Sequence, residues 1–278
     1  MRYCRAHPAL PAGVGILLCL ILVGPVGGHL INPNLATPTS VVPDHPPSAA
    51  YPLGTDDQGR DLIAVVIAGL PLTIAVGFLA GAIGVVVGTI LGFLGGYLGG
   101  PVDAVIRGLA DILLTVPAIV VLVTIASSLK GSITIPVEAL VISILAWMWP
   151  TRTIRSQVLP LRERGFVQIA KLSGMRTPEL IVKELVPNLL PYLAASFVSS
   201  TAAAILASIG LEAIGLGPQS QPTMGMTIYW AIQFNALIRG LWWWWLVPIL
   251  LLALLFVSLF LASSGLDEIA NPRAHRGN

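Results

Sequence analysis

Five stretches of this chain, 8–43, 62–102, 112–129, 185–211 and 241–266, run without a single Asp, Glu, Lys or Arg. Each can cross about 30 Å of hydrocarbon as a helix of about 20 residues. In lipid only a helix or a closed barrel satisfies its own backbone polar groups, so such runs leave few alternatives. A shorter apolar run, 133–150, is interrupted by Glu138 and brings the expected number of spans to six: roughly 12–31, 70–95, 105–129, 133–149, 190–209 and 243–263. The chain is 55% hydrophobic and only 10% charged, against about 25% charged in soluble domains. A soluble enzyme is thereby excluded, and the expected fold class is an all-α polytopic membrane protein.

The first run follows Arg2 and Arg5, as a signal peptide would. It is longer than a typical signal core, shows no A-x-A-like cleavage site, and has Leu18 before Cys19 where a lipoprotein signal needs a small residue. It is read as an uncleaved first span. Cys4 and Cys19 supply neither a disulfide framework nor a CxxC metal site.

The basic residues set the orientation. With the amino terminus inside, twelve Lys and Arg (2, 5, 107, 152, 155, 162, 164, 171, 176, 183, 273 and 276) fall on the inner side, and Arg60, Lys130 and Arg239 on the outer. That bias satisfies the positive-inside rule, places both termini in the cytoplasm and accounts for the net charge of +2 without a nucleic-acid partner. The outer segments are then 31–60, rich in Pro, Thr, Ser and Asp, and 211–239, which is less polar and could cap or re-enter the bundle. Trp242, Trp243, Trp244 and Trp245 stand where the last span enters from the outer side, a position suited to interfacial anchoring.

The second span places Gly84, Gly88, Gly92, Gly96 and Gly100 at intervals of four, with Gly77 and Gly81 a little earlier. Small residues so spaced share one helix face and let another backbone come close, so that face is expected to pack against protein. Pro117 and Pro248, inside the third and sixth spans, are expected to kink them.

The one long polar insertion is 152–188. Phe166, Ile169, Ala170 and Ser173 follow i, i+3, i+4, i+7 spacing and give a short helix an apolar face, and Gly174 interrupts it. A second short helix is signalled by Thr177 as cap, Pro178 in the first position and Glu179 in the first turn, ending or bending near Pro187 and Pro191. Two short helices at a glycine elbow make a docking knob on the cytoplasmic face.

This loop resembles the signature of bacterial ABC importer permeases, E-A-A-x-x-x-G with a proline thirteen residues after the glycine: Ala170, Gly174 and Pro187 fall in register. Leu53-Gly54-Thr55-Asp56 with Gly59-Arg60-Asp61, Gly95-Gly96-Tyr97-Leu98-Gly99-Gly100 with Asp103, Asp111 with Pro117, Gly215-Leu216-Gly217, and Gly265-Leu266 with Pro272 extend the likeness. From about Tyr51 to Arg273 the chain is similar to the C-type permease subunit of the peptide/nickel importer family. The resemblance implies a type I permease fold, with residues 1–60 as first span and outer loop and 61–278 as the core. It implies coupling helices that seat on a cytoplasmic ATPase through Arg164, Phe166, Gln168, Ile169, Ala170, Gly174, Met175, Thr177 and Pro178. Its implied partners are a second homologous permease subunit, two ATPase subunits that hold ATP and Mg, and an extracytoplasmic binding protein, in a bacterial cytoplasmic membrane. Family solutes are di- and oligopeptides, nickel chelates, haem or oligosaccharides. Two positions depart from the pattern: Gln168 stands for the motif's Glu, and Ser208 stands where relatives often have Glu, with Glu212 one turn on.

No G-x-x-x-x-G-K-[ST] occurs, so the chain has no P-loop of its own. His7, His29, His45 and His275 lack ligand spacing and no nucleophile stands with a base, so no enzyme activity is expected. The alternative is a self-sufficient secondary transporter or channel, which would carry ionisable residues inside its spans. Asp111, Glu138 and Glu212 all fall near predicted span ends. Glu212 is expected to be hydrated at the outer surface, with Ser208 and Glu212 as candidate pathway residues.

Overall fold

A computed structural model of the chain describes residues 8–129 and 132–270; Arg2, Cys4, Arg5, His7, Lys130, Pro272, Arg273, His275 and Arg276 lie outside the described residues. The described elements are helical except for an isolated bridge between Thr55 and Asp61. They are α1 (Ala9–Leu30), a 3-10 turn (Pro33–Ala36), α2 (Leu62–Leu98), α3 (Gly100–Thr115), α4 (Ala118–Ser128), α5 (Ile135–Ala146) and α6 (Met148–Leu161). There follow α7 (Gly165–Leu172), α8 (Thr177–Leu180), a π turn (Ile181–Leu185), α9 (Val186–Ala213), α10 (Met224–Gln233) and α11 (Trp242–Ala270).

Four helical stretches are long and apolar enough to cross a membrane: α1, α2, α11 and Thr177–Ala213, which joins α8, the π turn and α9. The third expected span is instead a broken pair, α3 and α4, bent by 85°. The break sits at Val116, held extended at ψ 130° because Pro117 disfavours the helical region for the residue before it. The fourth expected span, 133–149, is corrected too. α5 has 12 residues, too few to cross alone, and α6 follows after Trp147 and carries the helical path to Leu161.

α2 is the central post, and its glycines are contact points. A Cβ on Gly84 would lie 2.7 Å from the Ala146 carbonyl oxygen, on Gly88 2.6 Å from Pro150 Cβ, on Gly92 3.0 Å from the Thr151 carbonyl oxygen and on Gly96 2.9 Å from Val158 Cβ. These four therefore bring the backbones of α5 and α6 against α2, while Gly81 meets Thr201 of α9 at 2.8 Å. Gly100 does not extend the row. It lies past the end of α2 with φ +57°, beside Gly99 at φ +68°, and the two reverse the chain into α3.

At one end of the bundle the segment 31–61 folds tightly. Arg60 donates from Nε to Asp56 Oδ2 at 2.6 Å and from its backbone N–H to Oδ1 at 2.8 Å, with both side chains buried. Burial raises the Asp56 carboxyl above its ordinary value, and the Arg60 guanidinium offsets only part of that. Asp61 caps α2 by accepting from the Ile63 N–H at 3.0 Å, and Arg239 binds both Asp44 and Asp57. Trp243 donates from Nε1 to the Thr55 carbonyl at 3.0 Å, and Trp244 is fully buried against Phe234. The expected four-Trp anchor is thus corrected: Trp243 and Trp244 lock the last helix to this end, and Trp242 is the exposed one.

Replacing Gly88 with Leu should force α2 and α6 apart, costing about 1–3 kcal/mol as overpacking does. Thermal unfolding of the purified chain in detergent should show the drop, and Gly108→Leu, at a site with open space around it, should not.

Candidate functional site

At the end opposite Asp56 the chain leaves α6, turns through α7 and re-enters the bundle as α9. α7 is amphipathic, but its seating differs from the face expected from spacing alone. Val167 and Ala170 are buried in a cluster with Phe93 of α2, Ile154 and Val158 of α6, and Leu180, Leu185 and Leu189. Phe166 and Met175 pack at its edge. Ile169 is 66% exposed and Leu172 89%, beside exposed Arg164, Gln168, Lys171 and Gly174. Ala170 and Ile169, expected on one docking face, therefore point opposite ways: one into the bundle, one out. Leu172, three residues past Ile169, is the most exposed large apolar side chain here and was not singled out, although the same i, i+3 step finds it.

Gly174 at φ +81° makes the elbow, and the Met175 N–H donates back to the Ala170 carbonyl at 3.1 Å, a helix end that glycine closes without strain. The cap beyond it is Arg176, which makes no side-chain hydrogen bond; Thr177 and exposed Pro178 are the first two helical residues. Of the expected end or bend near Pro187 and Pro191, no end is found: the helix continues, with a π turn in its path. The π turn just before Pro187 takes up the missing N–H and the ring's clash with the carbonyl four residues back. Asn188 Nδ2 donates to the Glu184 carbonyl at 2.6 Å. The elbow thus opens directly into the 37-residue stretch Thr177–Ala213.

Polar ties fix this end to α2 and α3. Arg155 makes a two-pronged pair with Asp103, Arg162 donates to the Gly96 carbonyl at 2.9 Å, and the Lys171 ammonium lies 5.2 Å from the centre of the Tyr97 ring. α7 therefore has a buried face bound to α2 and α6, and an outer face on which Ile169 and Leu172 are exposed among polar residues.

Along one side of α9 run three cavities of about 400, 220 and 550 Å³. They are continuous in their walls: Trp149, Pro150, Ser199 and Ser200 border the first and second, and Tyr192 and Asp267 the second and third. α9 faces them with small residues, and the lining passes from apolar near Leu122 and Ile142 to polar near Gln157, Asn188 and Asp267.

Ser208 and Glu212 are not on this groove. Both are fully buried, and Ser208 Oγ lies 2.8 Å from Glu138 Oε1 and 3.4 Å from Glu212 Oε1. The expectation that Glu212 is hydrated at the outer surface is overturned: α10 closes over it, with Gly217 and Gly225 pressed against its side chain. Asp111 sits at the opposite end, half-buried, 3.5 Å from Arg152.

A chain of spanning helices around a glycine-lined post, with a short amphipathic helix held out at one end, defines a multi-pass transport subunit. The family model described as binding-protein-dependent transport system inner membrane component matches residues 84–276. The oligopeptide transport system permease protein OppC of Mycobacterium tuberculosis (strain ATCC 25618 / H37Rv) is 30% identical over 227 residues, 82% of this chain and 77% of that protein. The probable D,D-dipeptide transport system permease protein DdpC of Escherichia coli (strain K12) is 34% identical over 229 residues, 82% and 76% of the two chains. The dipeptide transport system permease protein DppC of Bacillus subtilis (strain 168) is 26% identical over 279 residues, 99% and 85%. The chain belongs to the family of inner-membrane components of binding-protein-dependent transport systems, and is a permease subunit of an ABC importer.

A charge at Val167 would have to be buried, at a cost of several kcal/mol, so Val167→Asp should release α7 from the bundle. Limited proteolysis of membrane-embedded protein should then cut within 162–176 at least about tenfold faster than in wild type. Leu172→Asp should leave the cutting rate unchanged.

Proposed function

We propose that this chain forms, with a homologous second permease subunit, the path by which a peptide or similarly small solute, delivered by an extracytoplasmic binding protein, crosses the bacterial cytoplasmic membrane. Two cytoplasmic ATPase subunits bind ATP and Mg and do the hydrolysis; this chain carries no catalytic role. The names of the relatives, oligopeptide and dipeptide permeases, support the solute class. The positive charges support the orientation, with α7 and both termini cytoplasmic and the 31–61 loop outside.

The observation that carries this reading is the two-sided α7. A helix whose apolar residues Ile169 and Leu172 stand in solvent needs a partner, and one whose Val167 and Ala170 are buried between α2 and α6 moves with those helices. The docking face is then Arg164, Gln168, Ile169, Leu172, Gly174, Thr177 and Pro178, while Phe166, Ala170 and Met175 tie it to the bundle. ATP-driven approach of the two ATPases shifts the population of outward- and inward-facing states through this contact. Gln168, in place of a carboxylate, offers a neutral hydrogen bond; since an exposed ion pair is worth about 0–1 kcal/mol, the grip rests on the apolar pair beside it.

The groove along α9 supports a solute path in this subunit. Ser196, Ser199, Ser200 and Thr153 line it, as expected of polar side chains in a membrane protein, which face protein or a water-filled cavity rather than lipid.

In vesicles holding the complete transporter, the double variant Ile169→Asp/Leu172→Asp should insert normally yet lose at least about tenfold of ATP-driven peptide uptake, the loss of an apolar contact worth more than about 1.4 kcal/mol. Undiminished uptake would refute the docking role. In a chain whose own cysteines are replaced by Ser, Ser199→Cys and Ser200→Cys should react with a charged, membrane-impermeant thiol reagent in at least one nucleotide state. Leu206→Cys, on an exposed apolar position of α9, should stay unreacted.

A further inference from the structure

The end of the bundle that carries the 31–61 loop hides a pair of carboxyl groups that the transport reading does not use. Glu138, in the first turn of α5, is 1% exposed, and Glu212, at the end of α9, is 0% exposed. They come from helices 74 positions apart in the chain and meet on one hydroxyl, Ser208, which has a single hydrogen to give. That hydrogen goes to Glu138 Oε1 at 2.8 Å; Glu212 Oε1 stands at 3.4 Å from the same oxygen. The second oxygen of each carboxyl, Glu138 Oε2 and Glu212 Oε2, is sealed from solvent and has no hydrogen-bond donor among the described residues.

Among the described residues each carboxyl is the other's charged neighbour, and no Lys, Arg or His of the packed elements pairs with either. On α10 the nearest groups are Thr223 and the Met226 amide, and that amide donates to Thr223 Oγ1 at 3.2 Å. Gly217 and Gly225 wall the site: a Cβ on Gly217 would be 2.5 Å from Glu212 Cγ, and one on Gly225 would collide with Glu212 Oε2. Two like charges in a dry pocket repel strongly, and an uncompensated buried carboxylate costs several kcal/mol. A well-packed pair with orphaned oxygens and no counter-charge among the described residues is therefore an incomplete site.

We propose that Glu138, Ser208 and Glu212 hold one small monovalent cation, a proton or a bare alkali ion, between the two carboxyl groups, and that its presence keeps α5 and α9 together. The close walls exclude hydrated or organic cations. With the cation in place, Glu138 and Glu212 bridge the two helices through a shared positive charge. Without it, they repel across the same interface. On the importer reading, on which this consequence rests, both helices border the solute path at its outer end, so departure of the cation favours the outward-open arrangement.

The test uses the full chain purified with its partner subunits, the probes being the cations themselves. Thermal unfolding is followed from pH 5.5 to 8.5 in choline chloride, and again at pH 8.5 with added LiCl, NaCl or KCl at constant ionic strength. Wild type should gain at least about 3 °C on acidification or on addition of one alkali ion, as a ligand bound only by the folded state requires. Gain with acid alone identifies a proton, and gain with one salt at fixed pH identifies that metal ion. Glu138→Gln/Glu212→Gln, which keeps the shape and removes both charges, should lose the dependence, and Ser208→Ala should weaken it. A wild type whose unfolding responds to neither, or responds identically to the double Gln variant, overturns the proposal. The readout does not involve transport, so its failure leaves the importer reading standing, and absence of ATP-driven uptake by wild type overturns that reading alone.

Discussion

The bundle depends on the close approach that the glycines of α2 permit. In water, apolar helix faces are driven together by the solvent; in lipid that drive is absent, and helices associate through backbone proximity and packing. Gly84, Gly88, Gly92 and Gly96 give α5 and α6 that proximity on one side, and Gly77 and Gly81 give it to α9 on another. What surrounds α2 is therefore positioned by contacts that tolerate almost no added volume. The groove beside α9, the buried carboxyl pair and the seat of α7 are all held at fixed places by this post.

The seat of α7 shows how a small element is fastened to several helices at once. Val167 and Ala170 join the cluster that Phe93, Ile154 and Leu180 form at the junction of α2, α6 and the root of α9. Arg155, paired with Asp103, and Arg162, bonded to the Gly96 carbonyl, fasten the same junction with polar ties. No long loop separates Ile169 and Leu172 from the bundle, since the elbow at Gly174 leads straight into helix.

Much of this was legible in the sequence, for identifiable reasons. Uncharged runs located four of the six expected spans because burial in lipid is read residue by residue, and the spacing of α2's glycines located a packing face because that period is local. Pro117 marked the break between α3 and α4, though not its 85° angle, which depends on what each half packs against. The misreadings share a cause: they turn on partners distant in the chain. Glu212 looked hydrated because nothing near it in sequence announces Glu138 and α10. Trp243 looked like an interfacial anchor because its acceptor, the Thr55 carbonyl, lies 188 positions away. Ala170 and Ile169 seemed to share a face because the spacing says which residues are neighbours on α7, not which side the bundle takes. Continuation of the helix through Pro187 was hidden because a proline signal reads as a stop unless a π turn absorbs it.

α2 has 37 residues without interruption, from the Asp61 cap to the Gly99–Gly100 reversal. At 1.5 Å per residue it is about 55 Å long, well beyond a hydrocarbon core of about 30 Å. A rod of that length must tilt steeply or project from both faces, and either way its two tips belong to different compartments. One tip sits under the folded 31–61 loop and the other beside α7, so any small rotation of this rod about its glycine contacts carries the two tips in opposite directions.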